Sequence, residues 1–441
     1  MRERRPGARG VRRGRGGAAV LALLGTLAAG GLTACGGTGP GGAGHAPFQK
    51  VLDRQAAALR EGDKNGYLAV LDPRAAGYRT EQRQVYRNLR RLPLDRWSYE
   101  VADVTRRGNR ATVEAGLRHR LAGYDRTTTV DTERLRFVRR DGAWRIAARA
   151  PGDATQLWEQ GELTVVRGRH SLVLGVGRER AGLRALADAA DRAVPAAGEA
   201  WPRKWSRRAV LEAPSSVADM ARLLGSPASS YEGIAAVTTG EAGGEAGERA
   251  AGEGPGRSGD APADRIVVNP QAYGLLSEEG RQVVLTHETT HVATRRQTTP
   301  ATPMWLSEGF ADWAGYRTTK LAPRAAAPEL ARAVGRRAEG NADRGGAAAP
   351  RALPADEDFR FGNDPARLAR AYEGGWLACR MVADQWGADA LVALYERAGR
   401  AHGGKRPGTD AALRAVLGVD QAEFTARWRA YVAAELGQGR S

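Results

Sequence analysis

Residues 277–291 read Ser-Glu-Glu-Gly-Arg-Gln-Val-Val-Leu-Thr-His-Glu-Thr-Thr-His, and the fold of this 441-residue chain turns on them. Ser277 is suited to cap a helix that begins at Glu278-Glu279 and continues through Val283, Val284, His287 and His291. Residues four apart on an α-helix lie one above the other, so the imidazoles of His287 and His291 project from one face. Both can then offer a nitrogen at about 2.0–2.1 Å from a single Zn²⁺, which adjacent positions could not do. Glu288 points slightly off that face, where it can reach a water at the metal without ligating it. The chain holds only six His, so a chance pair at this spacing is uncommon.

Downstream stands Trp305-Leu306-Ser307-Glu308-Gly309-Phe310-Ala311-Asp312-Trp313, and further on Tyr372-Glu373-Gly374-Gly375-Trp376. With His287-Glu288-Thr289-Thr290-His291, these segments resemble the gluzincin zinc metallopeptidases of the peptidase MA-like type. The resemblance runs over roughly residues 163–436 and is densest over 284–313. It implies that Glu308 is the third zinc ligand, on a helix antiparallel to the first. It also implies that Tyr372, opening a helix that runs to about Gln385, hydrogen-bonds the oxyanion of a tetrahedral intermediate. Asp312, one turn beyond Glu308, is a candidate acceptor that orients a ligand imidazole. The strand motif with which the aminopeptidases of this clan grip a substrate amine is missing; Ile234–Thr238 and Ile266–Asn269 occupy that region.

The N-terminus reads as an address. Seven Arg and one acidic residue lie within the first 34 positions, followed by the apolar run Ala18–Ala29. That run is too short to span a bilayer of about 30 Å. Leu32-Thr33-Ala34-Cys35 resembles a bacterial lipobox, which implies cleavage before Cys35 and a diacylglycerol on its thiol. The Gly-rich residues 35–46 would then be a flexible tether, and the mature protein would sit outside the cytoplasmic membrane, held by lipid. The other cysteine, Cys379, lies in an apolar helical stretch and reads as a small core residue.

Between the address and the metal motif, residues 47–150 change character. Phe48, Val51, Leu52, Ala56 and Leu59 recur at helical spacing, as do Val85, Leu89 and Leu92. After Trp97 the chain alternates through Tyr99 and Val101, Ala111 to Ala115, and Leu135 to Phe137. Asp141-Gly142 marks a hairpin before Trp144-Arg145-Ile146-Ala147. Helices followed by an antiparallel sheet resemble the cone-shaped nuclear-transport-factor-like fold, whose expected part here is a spacer or interaction domain. Residues 163–441 read as mostly helical with a small sheet, so the whole is α+β. Gly/Ala-rich residues 241–264 and 322–354 read as loose insertions, the second with one helical piece.

Net charge is +17, and removing the first 34 residues leaves +11. No basic block interleaved with aromatics is evident, so the Arg surplus reads as compositional and no nucleic-acid partner is expected. Two cysteines exclude a disulfide scaffold. The expectation is a lipid-anchored, extracytoplasmic zinc peptidase acting on peptide or protein substrates. Its ligands are His287, His291 and Glu308, with Glu288 as general base and Tyr372 as oxyanion donor. A catalytically silent binding module, or a zinc hydrolase of non-peptide substrates, is the alternative; the sequence leaves oligomeric state open.

Overall fold

In the computed structural model, the described residues are 42–152, 154–239, 263–338, 350–360, 364–400 and 408–437. The leader, Cys35 and most of the Gly-rich tether lie outside them, as does nearly all of the first insertion. No helix among the described residues is long and apolar enough to cross a membrane.

The chain is α+β throughout. Helices α1 (Gly42–Glu61), α2 (Lys64–Ala69) and α3 (Ala76–Leu89) precede an antiparallel meander. Its strands are β1 (Leu94–Arg107), β2 (Arg110–Leu121), β3 (Thr129–Arg140) and β4 (Ala143–Arg149), in spatial order β1-β2-β3-β4. Alternation decides which face is buried. Ala111, Val113, Ala115 and Leu117 point inward with Leu135 and Phe137, while Val138, one position out of phase, faces outward. The β3–β4 turn uses Asp141 at φ 49° and Gly142 at φ 77°, the left-handed pair that an Asp-Gly hairpin requires.

A five-stranded sheet follows, built from β5 (Leu163–Arg167), β6 (Ser171–Val176), β7 (Ala209–Ala213), β8 (Ala236–Thr238) and β9 (Ile266–Val268). Its order is β5-β6-β7-β9-β8, so the three-residue β8 is an edge strand, antiparallel to β9. Helix α4 (Arg180–Ala200) crosses between the parallel strands β6 and β7 and covers one face, meeting Val173 and Leu211. The opposite face, through Leu172, Leu174, Val176 and Val210, packs into the core of residues 47–150. All six residues of β6 are therefore buried, as its unbroken apolar run demands. The N-terminal part is joined to the second part by this shared core. Buried Asn88 adds to it, donating to the carbonyls of Trp158 (2.7 Å) and Gly161 (2.6 Å) and accepting from Leu163 N (3.0 Å).

The remaining helices form the metal-motif region. After α5 (Val217–Leu224) come α6 (Glu278–Thr294), α7 (Met304–Tyr316), α8 (Pro328–Ala338) and α9 (Pro365–Trp386). The chain ends in α10 (Ala388–Ala398), α11 (Thr409–Leu417) and α12 (Gln421–Leu436). Within residues 322–354, where one helical piece is expected, α8 is that piece. Helix α8 buries Leu330, Ala331 and Ala333, a stripe so rich in Ala that its hydropathy is weak. The end of the first insertion is likewise ordered. Asp264 accepts from Arg295 Nε at 2.8 Å, with both side chains buried.

Helices α7 and α9 touch backbone to backbone. A Cβ on Gly309 would stand 2.2 Å from the carbonyl oxygen of Gly375, and one on Gly375 would stand 2.7 Å from that of Trp305. Main-chain atoms cannot swing away as a side-chain tip can. Gly309→Ala should therefore destabilise the fold by about 3 kcal/mol or more, the upper end of overpacking costs. The denaturation midpoint measures it, with Gly335→Ala, where a Cβ meets nothing within 4 Å, as the control.

Candidate metal centre

Helix α6 starts where Ser277 Oγ accepts a hydrogen bond from Gly280 N at 3.1 Å, and it carries Glu278 and Glu279 in its first turn. Two turns on, His287 and His291 leave the same face, their ring centroids 4.7 Å apart. Helix α7 packs against α6 and presents Glu308 to both imidazoles. The Nε2 atoms of His287 and His291 are 3.0 Å apart, and Glu308 Oε2 lies 3.3 Å from the first and 3.4 Å from the second.

Those separations test the fit of a metal. Ligand atoms at about 2.0–2.1 Å around a tetrahedral Zn²⁺ stand about 3.3 Å from one another. The observed triangle has nearly that size, and its three residues are the one His/Cys/Asp/Glu group with such convergence among the described residues. The donor set, two imidazole nitrogens and a carboxylate oxygen, is one zinc accepts with a further position left open.

Tautomer and charge are set from the next layer. Asp312, one turn beyond Glu308, lies with Oδ1 2.8 Å from His287 Nδ1. The geometry puts a proton on Nδ1, which leaves Nε2 as the nitrogen that would face a metal. Burial alone would lower the His287 pKa, but the charges of Asp312 and Glu308 outweigh it and leave the pKa well above the ordinary value. Burial likewise pushes Glu308 upward, and the imidazoles of His291 and His287 overcome it, holding the carboxyl far below its usual range. Glu308 is thus a buried anion held between the two imidazoles.

Glu288 does not join the triangle. Its carboxylate turns toward the sheet, where Thr238 on edge strand β8 places its hydroxyl 2.6 Å from Oε2 and 3.1 Å from the Glu288 carbonyl. A hydroxyl has one proton to give, and the shorter contact is to the carboxylate, which accepts it. Tyr372 does not open a helix as expected but stands two turns inside α9, its ring 6.3 Å from that of His287, and Phe359 packs edge-on against it at 5.3 Å. The structure thus brings together His287, Glu288, His291, Glu308, Asp312 and Tyr372. Cys379 stands apart, fully buried and with its thiol pKa raised by that burial.

Sequence reasoning passed over Thr238 and Glu373. Glu373, beside Tyr372, turns away from the metal ligands to cap α8, accepting from Glu329 N at 3.1 Å and Leu330 N at 2.6 Å. Burial raises its pKa to about 7, from an ordinary value of 4.5. The folded state then holds a proton that the unfolded chain has released, so this group's stabilising contribution is full below about pH 4.5 and fades as pH rises through about 7. Glu373→Gln should flatten that component of stability against pH, and Glu373→Ala should cost about 1–2 kcal/mol by orphaning two first-turn N–H groups. Thermal unfolding at several pH values reads both.

No family model matches this chain, and no curated protein matches it. Among solved structures it is similar to Rv3472, a function-unknown protein from Mycobacterium tuberculosis. The identity is 19%, over 24% of this chain and 69% of that one, with a TM-score of 0.21.

Proposed function

We propose that this protein is a zinc-dependent peptidase, held outside the cell membrane by a lipid on Cys35. The observation that carries the reading is the convergence of His287, His291 and Glu308 into one triangle of metal-ligand size, with Glu288 beside it and outside it. When bound there, zinc supplies Lewis-acid activation of a water and of the scissile carbonyl.

The chain's own residues supply the rest. Glu288, buried and held by Thr238, takes the proton of the attacking water and delivers it to the leaving amine. Asp312 holds His287 in one tautomer and one orientation. The hydroxyl of Tyr372 donates to the oxygen that gains charge as the carbonyl becomes tetrahedral. Burial of Glu288, His291 and Glu308 keeps bulk water from screening these interactions.

The test is a peptide-library profile of the chain from residue 36, run beside ester and non-peptide amide probes. Cleavage of peptides that is abolished by a chelator and restored by zinc is the expected result. Stoichiometric zinc without turnover of any probe would make the protein a binding module, and turnover of esters alone would make it a different hydrolase. Tyr372→Phe should lower kcat by about 10²–10³-fold on the best peptide with KM little changed, since its hydrogen bond matters most in the transition state. Full activity in that variant would return Tyr372 to a packing role.

A further inference from the structure

The positive charge of this protein is concentrated in one part of the fold. Residues 47–150 carry 23 Arg and Lys against 13 Asp and Glu, a net +10, whereas residues 151–441 carry only +1. The even spread that composition suggests is therefore corrected. Within residues 47–150 many arginines are already committed: Arg118 to Glu100, Arg120 to Asp95, Arg140 to Asp72. Of the others without a carboxylate partner among the described residues, several lie on the helices or elsewhere, and six lie close together in the sheet: Arg106, Arg107, Arg110, Arg136, Arg139 and Arg145.

Strand register gathers these six at one end of the first sheet. Arg107 pairs with Arg110, Arg110 with Val138, and Val138 with Arg145, while Arg139 N donates to Asn109 O at 2.8 Å between the two hairpin turns. Five of the six are exposed, and Arg145, which is partly buried, reaches the Ala69 carbonyl. Against them stand Asp141 in the turn and, further along the strands, Asp103 and Glu114. Like charges directly opposite across a strand pair destabilise it, so Arg107 and Arg110 are there at a cost that folding does not explain. Their aromatic neighbours are sunk in the core; Arg106 lies over buried Trp144 at 5.2 Å. Among the described residues no exposed ring stands ready for a base to stack on, which disfavours nucleic acid.

The direction of the fold identifies the partner. Helix α1 enters at this same end, where Phe48 packs on Phe137 (5.2 Å) and Trp144 (4.8 Å). It runs toward the far end, where Arg60 donates to the Trp97 carbonyl. That far end meets the metal-bearing part: Trp97 packs edge-on against Trp158 at 5.9 Å, and Asp125 forms a bidentate pair with Arg265 at 2.7 and 2.9 Å. Cys35 precedes Gly44 by nine residues, a reach of at most about 30 Å. Lipid attachment at Cys35, on which the choice of partner rests, therefore confines the arginine-bearing end to the neighbourhood of the bilayer.

We propose that this end of the first sheet is a docking surface for anionic lipid headgroups. The strands, about 40 Å long at 12 residues, then act as a stand-off that presents the metal centre away from the membrane. The contact is electrostatic, a set of guanidinium groups on lipid phosphates within a Debye length of about 8–10 Å.

The experiment uses the mature chain with Cys35→Ser, which has no acyl group, so the surface is read apart from the anchor. It should co-sediment with phosphatidylcholine vesicles containing about 30% phosphatidylglycerol, not with pure phosphatidylcholine, and salt should release it. Arg107→Glu/Arg110→Glu/Arg136→Glu should weaken binding by about 100-fold or more, at about fivefold per neutralised charge. Arg180→Glu/Lys204→Glu/Arg360→Glu, an equal charge change on the metal-bearing part, should leave it nearly intact. The proposal is overturned by absence of binding to the anionic vesicles or by equal loss in the control triple. It also falls if duplex DNA displaces the vesicles through the same arginines. Fractionation of the parent against Cys35→Ser in cells tests the anchor separately, and its failure would leave the vesicle result standing.

Discussion

Glu288→Gln should keep one zinc per chain and lower turnover by about 10²–10⁴-fold. The substitution removes a basic oxygen and little else. Glutamine retains a carbonyl that can accept from the Thr238 hydroxyl, so the contact between α6 and β8 at 2.6 Å has a replacement and the helix stays in place. None of the three ligand atoms belongs to residue 288, and the His287–Asp312 contact is untouched. What is lost is the ability to accept a proton from water at neutral pH. Metal analysis and single-turnover kinetics on the same preparation decide the matter. Retained metal with retained turnover would move the base elsewhere.

The site was largely legible because the helical repeat is rigid. Four residues along α6 bring two imidazoles to one face whatever surrounds them, and four along α7 bring Asp312 up beside the His287 ring that Glu308 faces. What could not be read is what arrives across the fold. Thr238 reaches Glu288 from 50 positions away, at the end of a run legible as a strand but not as a neighbour of α6. Glu373 caps a helix 43 positions upstream, inside a stretch whose Ala content hid its burial.

The strands followed a similar division. The alternation from Trp97 to Ala147 gave the antiparallel meander directly, because one face of it is buried and the period is two. The hairpin of residues 163–166 and 171–174 was legible, but the burial of the second sheet on both faces was not, since what covers each face comes from distant segments. The asymmetry of charge could be counted from the chain. Its gathering at one end of a sheet needed the register that pairs Arg107 with Arg110 and Val138 with Arg145.

Glu308→Ala should behave oppositely to Glu288→Gln, losing the metal and, with it, activity. Removing an outer partner of a ligand costs about 10–100-fold in metal affinity, which is the effect expected of Asp312→Asn. Removing a ligand itself should exceed that range, because two imidazoles leave the first shell incomplete. The charge argument points the same way. Glu308 is fully enclosed and kept ionised by His287 and His291, so it is the carboxylate that would neutralise a dication bound between them. Alanine leaves two nitrogens 3.0 Å apart, and Asp312, which contacts the Nδ1 of His287, stays one step removed from the metal position. Zinc should then raise the melting temperature of the parent, through binding to the folded state alone, and leave that of Glu308→Ala almost unmoved. Circular dichroism of the zinc-free forms separates this from misfolding. One zinc per chain after dialysis of Glu308→Ala, with parent-like affinity, would place the third ligand on another residue.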